Sequence, residues 1–408
     1  MLPEWLTELY IQSKLRIYYK DNGLKVLKLW SKPASGKGDN WVGVMTRIHV
    51  DFQRSNENAV QKETYLLKEG CSKDAPQSKL FIDYEVYTRE MDMYEFVLPK
   101  MSEILLEVGI TDKMHANAIC VDREHEIMIL EDLAPLKYIN ADRVKQLDLS
   151  HAELTIDMLA KFHAAATVLK QRHPESMPPK LLVNYFSRDR DGYKRVFTGL
   201  FKALLRYVKS EPKLESRYYH KLERTLTNLM EYAARAHDVN DQDLQTLLHG
   251  DCWTTNIMFQ YDSQGQPRSV VPIDFQFSVI TSPVLDLHYF FSTSLQEDVR
   301  IRQLELVQRH YYALRQNLEK LNYKGNIPSL FEYQLEFQKR HFFAVFVSLV
   351  FQPFMVYQGE VLGEFVDFYE NTPQAIKFQD SLYSTAKAHE IVAKMLPIFD
   401  AKGLLDDQ

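Results

Sequence analysis

The chain has 408 residues, 45% hydrophobic and 25% charged, the ordinary balance of a soluble globular protein with length for two lobes around a substantial core. A net charge of −6 and a pI near 6.1 argue against a general nucleic-acid binder, which would be basic. The three cysteines, Cys71, Cys120 and Cys252, form no CxxC pair, which argues against a disulfide framework or cysteine-held zinc and for a reducing compartment.

The N-terminal MLPEWLTELYIQSKL mixes acids with apolar residues at helical spacing. It lacks the basic region, apolar run and cleavage site of a signal peptide, so a cytoplasmic protein is expected. GLKVLKLWSKP, WVGVMTRIHVDF and QKETYLLKEG read as strands, the third short and closed by Gly70; ASGKGDN, between the first two, reads as a turn. In FIDYEVYTREMDMYEFVLPKM, Phe81, Tyr84, Tyr87, Met91 and Tyr94 recur at spacings of three and four. This predicts one amphipathic helix, ended near Pro99. HEIMILEDL is a later strand that runs out into a connection.

From Ser150 the helical signal dominates. Ser150 with Glu153 has a capping-box pattern, and Leu154, Met158, Phe162, Ala166 and Leu169 form one apolar face. Helices are predicted through the 190s, 220s, 300s and 340s and on to Leu396. FFAVFVSLVFQPF, from Phe342, is interrupted by Ser348, Gln352 and Pro353. It is too short to span a bilayer and reads as a buried helix. A β-rich first third and a helical remainder imply two lobes, with a ligand site in the cleft between them.

One β feature interrupts the helices. NIMFQYD and SVVPIDFQF, separated by SQGQPR, form a hairpin signal. HGDCWTTN enters the first arm and Asp274-Phe275 ends the second. Antiparallel pairing brings Asp251, Asn256 and Asp274 together. Two carboxylates and an amide oxygen suit Mg²⁺, and a carboxylate beside the metal can take a proton from an attacking hydroxyl. The plainer reading is a polar turn that satisfies local backbone groups. Spacing, hairpin and second aspartate together outweigh it.

LLHGDCWTTNIMF, PIDFQFSVITSPVLDLHYFFSTS, LEDL and LAKFHAAA together resemble the insect ecdysteroid-kinase-like family, also called CHK-kinase-like. That family lies within the choline kinase and aminoglycoside phosphotransferase superfamily, and the resemblance covers nearly the whole chain. It implies an α+β, bilobal protein-kinase-like fold. A small antiparallel β-rich lobe would take residues 1–133 and a large, mainly helical lobe residues 134–408. It also implies phosphorylation of a small-molecule hydroxyl with ATP and Mg²⁺. On this resemblance Asp251 matches the catalytic base, and Asn256 and Asp274 match the Mg²⁺ ligands. Lys68 matches the lysine on the ATP phosphates and Glu90 its helix partner, with Glu85 a rival. GKGDNWVG, with Gly38, Asp39 and Asn40, fits the loop over the phosphates, although it lacks a full GxGxxG. Glu131 and Leu133, in LEDL, match the hinge, where backbone groups would meet adenine. Asp286 matches the brace of the catalytic loop. His249 is expected to bond backbone and shape the loop. Structural roles are expected for His163 and Trp253, and nothing marks Cys252 as reactive.

Only FQFSVITSP separates Asp274 from VLDLHYFF. This leaves little room for a phosphorylatable activation loop or a peptide-docking platform. Gln276 in place of glycine argues against a backbone flip. The reading is a constitutively assembled site for a small acceptor, in a monomer or weak dimer. The resemblance implies an ecdysteroid or another lipophilic alcohol, such as a xenobiotic in detoxification. The alternatives are a choline- or ethanolamine-type kinase, a nucleotide-binding pseudokinase regulator, and a metal hydrolase using His249, Asp251 and Asp274.

Overall fold

The computed structural model describes residues 2–34, 43–361 and 363–407. Gly38, Asp39 and Asn40 of the expected phosphate loop lie outside them. Helix α1 (Glu8–Tyr19) begins at Thr7, whose hydroxyl accepts the Tyr10 N–H at 3.2 Å. Strands β1 (Lys25–Pro33), β2 (Gly43–Gln53) and β3 (Val60–Gly70) follow. β3 is not short: it pairs with β2 over its whole length, from Val60 opposite Gln53 to Gly70 opposite Gly43. With β4 (Ala118–Asp122) and β5 (Ile127–Glu131) these strands form an antiparallel sheet of order β1-β2-β3-β5-β4. Side chains alternate across a strand. Tyr65 and Leu67 therefore pack with Ile11 and Leu15 of α1, and Lys68 turns to the opposite face.

The single helix expected over 81–101 is two pieces. α2 (Ser78–Asp83) stops before Glu85, which takes a left-handed φ of 51° and opens α3 (Val86–Asp92). α3 continues through a π turn (Met93–Val97) into α4 (Leu98–Leu106), so the helix passes Pro99 instead of ending there. A proline lacks the N–H for the ladder and its ring clashes with the preceding turn. The wider turn, closed by the Leu98 N–H on the Met93 carbonyl, sits just before Pro99 and gives that ring room.

The helical part is centred on α5 (Leu149–Arg172). Its cap is Asp148, not Ser150. The Asp148 carboxylate accepts the His151 N–H at 3.1 Å and the Ser150 hydroxyl at 2.8 Å. A carboxylate at this end also complements the helix dipole, which a serine hydroxyl does not. Met158, Phe162, Ala166 and Leu169 are buried as expected and Leu154 is half-buried, but burial continues round the helix through Ala164, Ala165 and Val168.

α6 (Gly192–Ser210) and α7 (Pro212–His237) form a hairpin of helices in a second core cluster. β6 (Ile139–Asn140), β8 (Ile257–Tyr261) and β9 (Pro267–Pro272) make a small sheet, and β7 (Thr246–Leu248) pairs with β10 (Val279–Thr281). α8 (Val284–Ser294), α9 (Glu297–Arg300), α10 (Gln303–Lys320) and α11 (Leu330–Lys339) follow. The apolar run from Phe342 is α12 (Phe342–Phe346), a second π turn (Val347–Phe351) and α13 (Gln352–Met355), almost wholly buried. α14 (Pro373–Ser381) and α15 (Ala386–Ala401) end the chain's regular structure. Among the described residues no helix is long and apolar enough to cross a membrane. The architecture is α+β, an antiparallel N-terminal sheet followed by a mainly helical portion.

Candidate active site

The loop between β7 and β8 carries the HGD segment. β8 and β9 pair with Ile257 opposite Pro272. One step further, the Ile273 N–H donates to the Asn256 carbonyl at 2.9 Å, which draws Asp274 to the loop. Gly250 holds φ 82°, and a Cβ there would lie 2.1 Å from the Phe277 carbonyl oxygen. Only glycine meets both demands at no cost. Phe275 anchors the other side, its ring 5.7 Å from Tyr94, 5.9 Å from Phe162 and 5.0 Å from His249.

Asp286, on the first turn of α8, accepts the His249 N–H at 2.8 Å and the Gly250 N–H at 3.0 Å. His163 Nε2 meets the same carboxylate at 3.0 Å. A polar chain continues outward: His163 Nδ1 to His310 Nε2 at 3.0 Å, then His310 Nδ1 to the Tyr333 hydroxyl at 2.9 Å. One set of tautomers satisfies every link, with Tyr333 donating to His310, His310 to His163 and His163 to Asp286. His163 is thus a packed, bonded histidine. His249 Nε2 donates to the Ile273 carbonyl at 2.9 Å, and Nδ1 accepts the Asp251 N–H at 3.3 Å. Burial holds this imidazole's pKa below its ordinary value. With both nitrogens engaged it has no lone pair for a metal, which removes the hydrolase alternative.

Asp251 lies on the floor of a cleft. Burial pushes its carboxyl up to about 7 against the hydrogen bond from Tyr289, with the Asp274 charge adding to the rise. The Tyr289 hydroxyl donates to Oδ1, and Asn256 Nδ2 donates to Oδ2 at 2.9 Å. Water still reaches the residue through the cleft mouth, since Asp251 itself is half-buried. Tyr289 was not singled out from sequence. The available signal was its place three residues after Asp286 on α8, which puts both on one face.

Lys68 reaches across the cleft. Its ammonium lies 2.6 Å from Glu90 Oε2 and 3.0 Å from Asp274 Oδ1. Burial alone would lower its pKa, but the two carboxylates outweigh that and hold it above the ordinary value. Glu90 has only a share of one ammonium and full burial, so its carboxyl is pushed above the ordinary carboxylate value, burial being the larger cause. Glu90, not Glu85, is the partner of Lys68; Glu85 lies 3.5 Å from Lys180. Arg89 fixes the same helix by donating to the Ser278 carbonyl at 3.0 Å and the Tyr84 carbonyl at 3.1 Å. The Glu131 carboxylate is held by Lys113 at 2.7 Å and the Asn117 N–H at 2.9 Å. Leu133 is buried, and its carbonyl accepts from Leu136 and Tyr138. At the expected hinge, then, the Glu131 carboxylate and the Leu133 carbonyl are both engaged within the protein.

The donor set fits Mg²⁺. Asp274 Oδ2 and Asn256 Oδ1 meet no donor among the described residues. Among those residues no group of three His, Cys, Asp or Glu side chains could enclose a metal. Asn256 and Asp274 would hold such a cation, and phosphates and water would have to supply the rest of its shell, which suits Mg²⁺.

The cleft encloses about 1090 Å³ of free space, open mouth included. Lys68, Asp251, Asn256, Asp274 and Gln276 form its polar part. Val196, Phe197 and Leu200 of α6, Phe351, Phe354 and Met355 near α13, and Phe365 and Phe368 form apolar walls. Trp253, expected to be structural, is half-buried and lines this cleft. Cys252 is buried, and burial pushes its thiol pKa well up, so it is inert.

No curated protein shows significant sequence similarity to this chain. Among solved structures, a choline kinase from Cryptosporidium parvum Iowa II is similar over 92% of this chain and 91% of its own, at 11% identity and a TM-score of 0.47. A Plasmodium vivax ethanolamine kinase is similar over 98% and 91%, at 12% identity and a TM-score of 0.42. A macrolide 2′-phosphotransferase from Brachybacterium faecium is similar over 91% and 98%, at 10% identity and a TM-score of 0.37. The ecdysteroid kinase-like family matches residues 37–323, a span that holds Lys68, Glu90, the HGD loop and Asp274 alike. The chain belongs to the ecdysteroid kinase-like family, and by that membership it is a small-molecule phosphotransferase.

Proposed function

We propose that the protein transfers the γ-phosphoryl group of ATP directly to a hydroxyl of a lipophilic alcohol, an ecdysteroid or a xenobiotic of similar shape. The observation that carries this reading is the cleft: a carboxylate with a pKa near 7 on its floor, and walls that are aromatic and aliphatic. Asp251 accepts the proton of the attacking hydroxyl, and its value suits a base working at neutral pH. Tyr289 and Asn256 hold the carboxylate oriented. Lys68, kept charged by Glu90 and Asp274, contacts the ATP phosphates. Asn256 and Asp274 would hold Mg²⁺, which would supply neutralisation of charge on those phosphates. The backbone from Glu131 to Leu133 is the edge offered to adenine. Arg89 and the short link after Asp274 support a site that is assembled without an activation step.

The test is incubation with ATP, Mg²⁺ and 20-hydroxyecdysone, alongside a panel of lipophilic alcohols, choline and ethanolamine, with phosphorylated product read by mass. The lipophilic alcohols are expected to be phosphorylated. ATP binding with no product on any alcohol refutes the reading and favours a regulator without turnover.

A further inference from the structure

Beyond Asp274 the chain divides its side chains between two environments. Phe275 enters the core, and Gln276 returns to the cleft that Asp251 and Asp274 share. Gln276 is only 5% exposed, and its Oε1 is shielded from solvent with no hydrogen-bond partner. The Tyr193 hydroxyl on the same cleft is likewise shielded and without a partner, while three other donors there are engaged. The Tyr185 hydroxyl donates to the Gly250 carbonyl at 3.3 Å, the Tyr289 hydroxyl donates to Asp251, and the Asn256 amide nitrogen donates to Asp251. A buried amide oxygen without a partner is destabilising unless a ligand completes it. The open atom is an acceptor, so its complement is a donor, and a neutral hydroxyl in an apolar cleft supplies one. Outside the polar end of the cleft, the described walls offer no further carboxylate to hold a cation.

We propose that Gln276 is a specificity-determining residue that hydrogen-bonds a second, uncharged polar group on the acceptor, beside the hydroxyl that Asp251 serves. The acceptor is then an apolar body bearing at least two oxygen functions at one end. This inference rests on the acceptor reading of the cleft given above. Selectivity follows from Gln276: an acceptor lacking the second group leaves the amide unpaired, and a site built around a hydrogen bond rejects such an analogue.

The experiment measures calorimetric Kd values on the full chain without nucleotide, using a mono-hydroxy sterol and the dihydroxy analogue on the same skeleton. The wild-type protein is expected to bind the diol at least about tenfold more tightly. Gln276→Leu is expected to bring the two within about twofold, mainly by weakening the diol. Gln276→Met, unbranched and of matching length, gives the same comparison should the leucine variant not fold. Equal binding of both sterols by the wild-type protein, or full diol preference in either apolar variant, overturns the proposal. Turnover with ATP and Mg²⁺ separates the two readings. Selective diol binding without phosphorylation overturns the kinase reading and leaves the subsite standing.

Discussion

Asp251→Asn separates the cost of the proposed base from its use. The wild-type carboxyl is raised from 3.8 to about 7, mainly by burial. Three pH units at ~1.4 kcal/mol each give ~4 kcal/mol in the dry limit, and water entering the cleft lowers this to ~2–4 kcal/mol. The folded pKa lies above the unfolded one. The group's contribution to stability is therefore full below about pH 4 and is lost as pH rises toward 7. At pH 8 the wild-type protein carries the whole penalty and the neutral amide carries none. The variant also loses one of the bonds with Asn256, which costs about 1 kcal/mol. For 408 residues at ~2.1 cal/mol/K each, the unfolding entropy is ~0.9 kcal/mol/K, so the net gain of ~1–3 kcal/mol raises Tm by ~1–3 °C at pH 8. The gain shrinks or reverses at pH 5. Scanning calorimetry at the two pH values reads it, and turnover assays run in parallel. Turnover is expected to fall by at least about a hundredfold. A Tm difference that is the same at pH 5 and pH 8, or an active asparagine variant, refutes the reasoning.

Three further outcomes follow from the same geometry. Lys68→Ala leaves the buried Glu90 without its cation; a loss of about 3–5 kcal/mol is expected at pH 8 and a smaller one at pH 5, where Glu90 takes up a proton, read by urea unfolding at both pH values. Gly250→Ala places a Cβ 2.1 Å from the Phe277 carbonyl and forces alanine into a left-handed φ; lower Tm and near-complete loss of turnover are expected, with the product assay as the check. Asp286→Ala orphans the His249 and Gly250 N–H groups at about 1–3 kcal/mol each, and thermal unfolding should report the sum.

Much of the site is legible in the sequence. Asp251, Asn256 and Asp274 sit on a single hairpin, and β pairing has a fixed period, so sequence spacing translates directly into proximity. Lys68 was readable as the end of a strand. The errors fell where local pattern competes with something the pattern does not record. The apolar periodicity of 81–101 carries no sign of the left-handed Glu85 or of the π turn that lets the helix pass Pro99. Ser150 fits the capping pattern, yet the carboxylate two residues earlier takes the role.

The sequence by itself determined the polar half of this protein: which residues form the hairpin cluster, and the fold family that carries it. Those features depend on neighbours in the chain or on one strand pairing. Only the tertiary structure decided that Glu90 rather than Glu85 meets Lys68 and that Tyr289 holds Asp251. It also decided that Trp253 and the α6 aromatics form a wall rather than plain core. Those contacts join elements far apart in the chain. A helix whose apolar face is complete looks the same in sequence whether that face meets another helix or an open cleft.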